Sequence, residues 1–205
     1  MFNKPVSLGV FDIECNEYMS YQYMPVKLAN QHYCHTEERL WKFGSLVNAC
    51  IDDFIKLEGE DKFISNYIYM TVKSGYQRNG MGFNRPGWHI DSFGNNEEEN
   101  YTWSSCQPTI FNDGPFYLSC DEDLSMDQMR DQADPTQNYT FPDKSLIRMG
   151  RSVHKVGDYI EGHRVFFKLS FSKDRYNLVG NTHNYLLNYN WDMVERKKSR
   201  NVPHA

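Results

Sequence analysis

Beyond residue 60 the chain is a succession of short β-type stretches. "FISNYIYMTV" (63–72), "GWHIDSF" (87–93), "YTWSSCQPTIF" (101–111), "PFYLS" (115–119), "SLIRMG" (145–150), "RSVHKV" (151–156) and "HRVFFKLSFS" (163–172) are each rich in β-branched or aromatic residues. Turn residues separate most of them. Many short strands punctuated in this way point to a barrel or a sandwich. Aromatic residues make up 15% of the chain, which suits a β-rich interior. The expected class is mainly β with flanking helices. At 205 residues, one domain with a sizeable core accounts for the length.

One segment has a different period. Leu40, Phe43, Val47, Cys50, Ile51, Phe54 and Leu57 recur at helical spacing, so a helix is expected over 37–57, with Thr36 as N-cap and an end near Gly59. The polar stretch 121–144 is expected to hold a short helix, with a capping box at Ser125 to Gln128. Residues 1–34 suit a short strand or hairpin, and the basic tail is expected to fray.

Charge and cysteine usage narrow the function classes. The net charge of −5 supplies no basic footprint, so a nucleic-acid polymer is not favoured as partner. The five cysteines (15, 34, 50, 106 and 120) form no CxxC pair, which argues against a disulfide framework and a zinc knuckle. Neither a signal-like segment nor a membrane-length apolar run is present, and the expectation is a reduced, cytoplasmic protein without membrane contact. Asn138-Tyr139-Thr140 matches a glycosylation acceptor by pattern only. The glycines of 77–87 form neither a dinucleotide nor a P-loop fingerprint.

Chemistry concentrates in four residues. In a strand, His89 and Asp91 project to the same side. His154 follows 63 residues after Asp91, and Arg164 ten residues after that, opening an apolar strand. Two imidazoles and one carboxylate on one face of an iron leave the opposite positions open. An arginine can grip a ligand carboxylate through two parallel hydrogen bonds.

This order, with "RPGWHIDSF" around its first element, resembles the Fe(II)/2-oxoglutarate-dependent oxygenases, and within them the phytanoyl-type branch. The resemblance covers roughly residues 60–172. It implies a double-stranded β-helix core, also called jelly-roll or cupin-like. It also implies Fe(II) held by His89, Asp91 and His154, and 2-oxoglutarate as cosubstrate on Arg164. The activity implied is hydroxylation of a substrate coupled to decarboxylation of 2-oxoglutarate. The whole chain 1–205 would then be one oxygenase-like domain: 1–59 as support, 60–172 as core and 173–205 as an extension. Many family members carry a serine two residues after the arginine. Here Phe166 stands there, so another hydroxyl is needed, and Tyr67 or Tyr69 is expected to supply it.

Other residues divide between functional and ordinary readings. Lys73, Arg78 and Arg85 suit a basic rim at the site or an ordinary charged loop. Glu97, Glu98 and Glu99 suit a solvated acidic loop. Trp88, Tyr101 and Trp103 suit either a pocket lining or plain core. His163 is expected on the opposite strand face from Arg164, and His32, His35, His183 and His204 have no partner at ligand spacing. A small-molecule substrate is the expected partner, with nucleotides and protein side chains open and the oligomeric state unfixed. Two competing functions remain: a catalytically silent cupin-like binding protein, and a metal-dependent hydrolase with Asp158 or Glu161 as base.

Overall fold

A computed structural model describes residues 4–78, 84–91, 98–157 and 161–196. Among the described residues, nine strands form two antiparallel sheets and helices are few, so the fold is mainly β. The larger sheet has the order β1 (Val6–Val10), β7 (Ser145–Arg148), β4 (Glu99–Ser104), β9 (Gly162–Ser172), β3 (Tyr67–Gln77), β2 (Met19–Lys27). The smaller one has the order β6 (Asn138–Thr140), β5 (Ile110–Asn112), β8 (Val153–Lys155).

The pair β3 and β9 is the spine, in register from Tyr67↔Ser172 to Gln77↔Gly162. Alternation along β9 explains both of its faces. Val165, Phe167, Leu169 and Phe171 point one way and join the main core. There helix α1 (Gly44–Glu58) covers them, with Phe54 stacked on Phe171 at 4.1 Å between centroids. Arg164, Phe166, Lys168, Ser170 and Ser172 point the other way, and they too are buried. A buried polar face must be matched by partners, and this one floors the cavity described below.

Several expectations are corrected. The first helical segment is divided: Glu38–Phe43 is a 3-10 helix, and α1 follows. Thr36 does not cap it; its carbonyl instead accepts from Trp41 Nε1 at 3.2 Å. The stop at Gly59 stands, with φ +89°. Residues 63–65 close a second helix, α2 (Glu60–Ser65), whose first turn carries Glu60 and Asp61, as the helix dipole favours. The helix of the polar stretch, α3 (Glu122–Gln132), begins earlier than expected, capped by Asp121 accepting from Leu124 N at 2.9 Å. Ser125 lies inside it, and Gln128 accepts from Ser119 N instead.

Residues 115–119 are not a strand. Gln132 of α3 accepts from Tyr117 N at 2.8 Å and donates to Tyr117 O at 3.0 Å, and so replaces a neighbouring strand. The N-terminal strands are not a hairpin either: β1 and β2 occupy opposite edges of the larger sheet. The C-terminal extension packs on the body, with Asn184 donating to Pro25 O at 2.9 Å and His35 O at 2.8 Å, and the basic tail expected to fray, 195–205, lies almost wholly outside the described residues. The last nine positions lie outside the described residues, as do Glu97, Asp158 and His204.

Candidate metal centre

His89 and His154 meet through an isolated antiparallel bridge, each backbone N–H donating to the other's carbonyl at 2.9 Å. The stretch 87–91 is therefore not a regular strand, yet this bridge sets its register against β8. The rings lie 4.4 Å apart between centroids. Asp91 completes the group: its Oδ1 is 4.0 Å from His89 Nε2, and its Oδ2 is 3.9 Å from His154 Nε2.

The outer nitrogens decide the tautomers. His89 Nδ1 lies 2.9 Å from Gly87 O, and His154 Nδ1 lies 2.9 Å from Ser152 O. A carbonyl only accepts, so each Nδ1 carries the hydrogen and each Nε2 presents its lone pair inward. Metal-bound histidines are held in this way by their second nitrogen. The donor atoms of the three side chains lie within 4.8 Å of one another, a group able to hold a metal ion. Metal–ligand bonds of about 2.1 Å place neighbouring donors about 3 Å apart, so small rotations draw the three together.

Electrostatics agree with neutral imidazoles. Burial, reinforced by His154, lowers the pKa of His89 to about 3. Burial lowers that of His154 as well. For Asp91, burial alone would raise the pKa, but the Lys168 ammonium beside it outweighs burial and holds the carboxyl below its usual range. Lys168 Nζ donates to Asp91 Oδ2 at 2.8 Å.

The group opens into a cavity of about 280 Å³. Arg164 lines the same cavity, as do Lys73 and Arg85. The Arg164 guanidinium is fixed from behind: Nε donates to Cys106 O at 3.1 Å, and the two amino nitrogens donate to Asn84 Oδ1 at 2.7 Å and Gln107 O at 3.3 Å. Arg85 lies 3.5 Å from Glu122, which also lines the cavity.

Tyr67 and Tyr69 stand elsewhere. They share the strand face of the site but pair with Ser172 and Ser170, at the far end of β9 from Arg164. The Tyr69 hydroxyl donates to Asp174 O at 2.9 Å and accepts from Tyr176 N at 3.0 Å. Neither tyrosine is among the described residues that line the cavity, whereas the hydroxyl-bearing Tyr23, Thr71 and Thr102 are.

Tyr101 and Trp103 belong to the main core on the opposite sheet face. Trp88 lies under the Lys155 ammonium, 4.8 Å from its ring centre. His163 contacts Ser74 at 3.3 Å, and Glu161 accepts from the Tyr76 hydroxyl at 3.1 Å. Sequence reasoning missed Lys168. The signal was present, since a lysine four residues after Arg164 in a strand shares its face.

Among the described residues, no helix is long and apolar enough to cross a membrane. Comparison of the chain with family models, with curated proteins and with solved structures gives no match.

Proposed function

We propose that this protein is a non-haem Fe(II)- and 2-oxoglutarate-dependent oxygenase built on a jelly-roll core, acting on a small molecule. The observation that carries the reading is the inward-facing His89–Asp91–His154 group in one cavity with Arg164. Two neutral nitrogens and one carboxylate suit Fe(II) and leave coordination positions free. Iron, when bound, supplies the redox couple that joins decarboxylation of 2-oxoglutarate to oxidation of a C–H bond.

The chain's own residues do the remaining work. His89 and His154 present lone pairs because their Nδ1 hydrogens are committed to carbonyls. Arg164, its fork fixed by Cys106 O, Gln107 O and Asn84, orients the far carboxylate of the cosubstrate.

The test is an anaerobic titration of metal-free protein with Fe(II) and then 2-oxoglutarate. The expected result is a visible charge-transfer band that His154→Ala abolishes. Folded, metal-bound protein that shows no band overturns the reading. One observation favours a second reading, a catalytically silent ligand-binding protein: Asp91 already has a counter-ion in Lys168. On that reading the cavity takes an acid with or without metal, and no succinate forms.

A further inference from the structure

Lys168 sits on β9 opposite Thr71 of β3 and Thr102 of β4, on the cavity floor. Its side chain is 8% exposed and that of Asp91 21%, so this is a largely buried ion pair. The ammonium binds Oδ2, the same oxygen that faces His154 Nε2 at 3.9 Å. A metal held by His154 and Asp91 would draw on that oxygen. Ammonium and metal therefore address one atom from neighbouring positions.

We propose that Lys168 is a built-in counter-ion that a metal must displace from Asp91, and that the displaced ammonium then binds a small carboxylate ligand in the cavity. The inference rests on the metal-site reading above. Without metal, a buried carboxylate lacking a partner is costly, and Lys168 removes that cost. With a divalent cation on Asp91, the ammonium faces a like charge at close range and loses its partner.

The other carboxylate that acts on Lys168 across the cavity, Glu98, already accepts from Asn100 Nδ2 at 2.8 Å and from the Tyr176 hydroxyl. Thr71 Oγ1 accepts from Tyr23 N at 3.0 Å, and Thr102 Oγ1 donates to Met149 Sδ at 2.9 Å. The Tyr23 ring centre lies 5.6 Å from the ammonium, and a tyrosine carries no negative charge near neutral pH. An anion entering the cavity supplies the missing charge, with Lys73 and Arg164 on the same wall. Metal and acid are thereby coupled: each strengthens the other's binding by the same factor.

Manganese(II), which is stable in air, is the probe. It is titrated calorimetrically into the metal-free full chain with no acid present, for wild type and Lys168→Met. The variant is expected to bind Mn(II) at least about tenfold more tightly, because no ammonium competes for Asp91. Succinate is then titrated into the Mn(II)-saturated proteins, where the variant is expected to bind at least about tenfold more weakly. Should Lys168→Met fail to fold, Lys168→Gln keeps a donor toward Asp91 without the charge.

Equal or weaker Mn(II) affinity in the variant overturns the proposal while leaving the metal site intact. Equal succinate affinity also overturns it. Mn(II) binding by the variant alone supports it, since the ammonium then blocks the wild-type site. Absence of Mn(II) binding in both proteins overturns the metal-site reading and this inference together.

Discussion

Burial sets the charge state of the two histidines, and pH dependence follows from it. The pKa of His89 is about 3 in the folded chain, against an ordinary value near 6.5. As pH falls below about 6.5, the unfolded chain gains a proton that the folded chain refuses, so stability is lost. His154, also lowered by burial, acts with the same sign. Asp91 adds to the loss below the ordinary carboxylate value, because its folded pKa is depressed. Metal-free protein is therefore expected to lose urea resistance between about pH 6.5 and 4, by up to about 1.4 kcal/mol per pH unit from His89, with His154 adding in the same direction. His89→Gln should flatten that slope, and a slope identical to wild type would contradict neutral burial. The histidines, Asp91 and Arg164 were legible because order and spacing along the chain name them. The hydroxyl expected to assist Arg164 was not placed by the same reasoning. Strand alternation puts Tyr67 and Tyr69 on the correct face, but only the β3–β9 register shows that they lie beyond Lys168, beside Ser170 and Ser172.

At the scale of elements, β9 does two jobs by alternation, and its apolar job can be tested alone. Phe54 is 1% exposed and stacks on Phe171, while Arg164 and Lys168 face the other side of the sheet. Phe54→Ala is expected to destabilise the protein by about 3–5 kcal/mol through lost burial and a cavity. Mn(II) affinity measured well below the melting temperature should stay unchanged. A large loss of metal affinity in a folded variant would show that the two faces are not independent. Long elements such as β3 and β9, 11 residues each, were legible because β-branched and aromatic residues are dense along them. Short ones were not, because a partner elsewhere decides them. Residues 115–119 have strand-like composition, yet Gln132 satisfies Tyr117 and no ladder forms. Residues 87–91 contribute only one bridge, although that bridge places His89 beside His154.

At the scale of the molecule, charge is distributed unevenly. The chain carries a net charge of −5, yet the cavity gathers Lys73, Arg85, Arg164, Lys168 and Arg196 against Asp91, Glu98 and Glu122. Such a pocket attracts small anions into a protein that otherwise repels them. Its ligands also come from separate parts of the fold. His154 belongs to β8 of the smaller sheet, Lys168 to β9 of the larger one, and His89 and Asp91 to the connection between β3 and β4. A metal at this group ties that connection to the smaller sheet, adding to the His89–His154 bridge and to the packing of Trp88 and Ile90 against β8. Binding to the folded chain alone stabilises it by about 2.7 kcal/mol at a free metal concentration one hundred times the Kd. For a domain of this size that raises Tm by roughly 5–10 °C. Thermal melts with Mn(II) are expected to show the rise, with chelator to reverse it and with His154→Ala to be insensitive to metal. Adding succinate should raise Tm further only when metal is present, because Asp91 otherwise occupies the ammonium of Lys168. A succinate shift of equal size without metal would mean that the acid reaches its cations independently, and the coupling between the two sites would be lost with it.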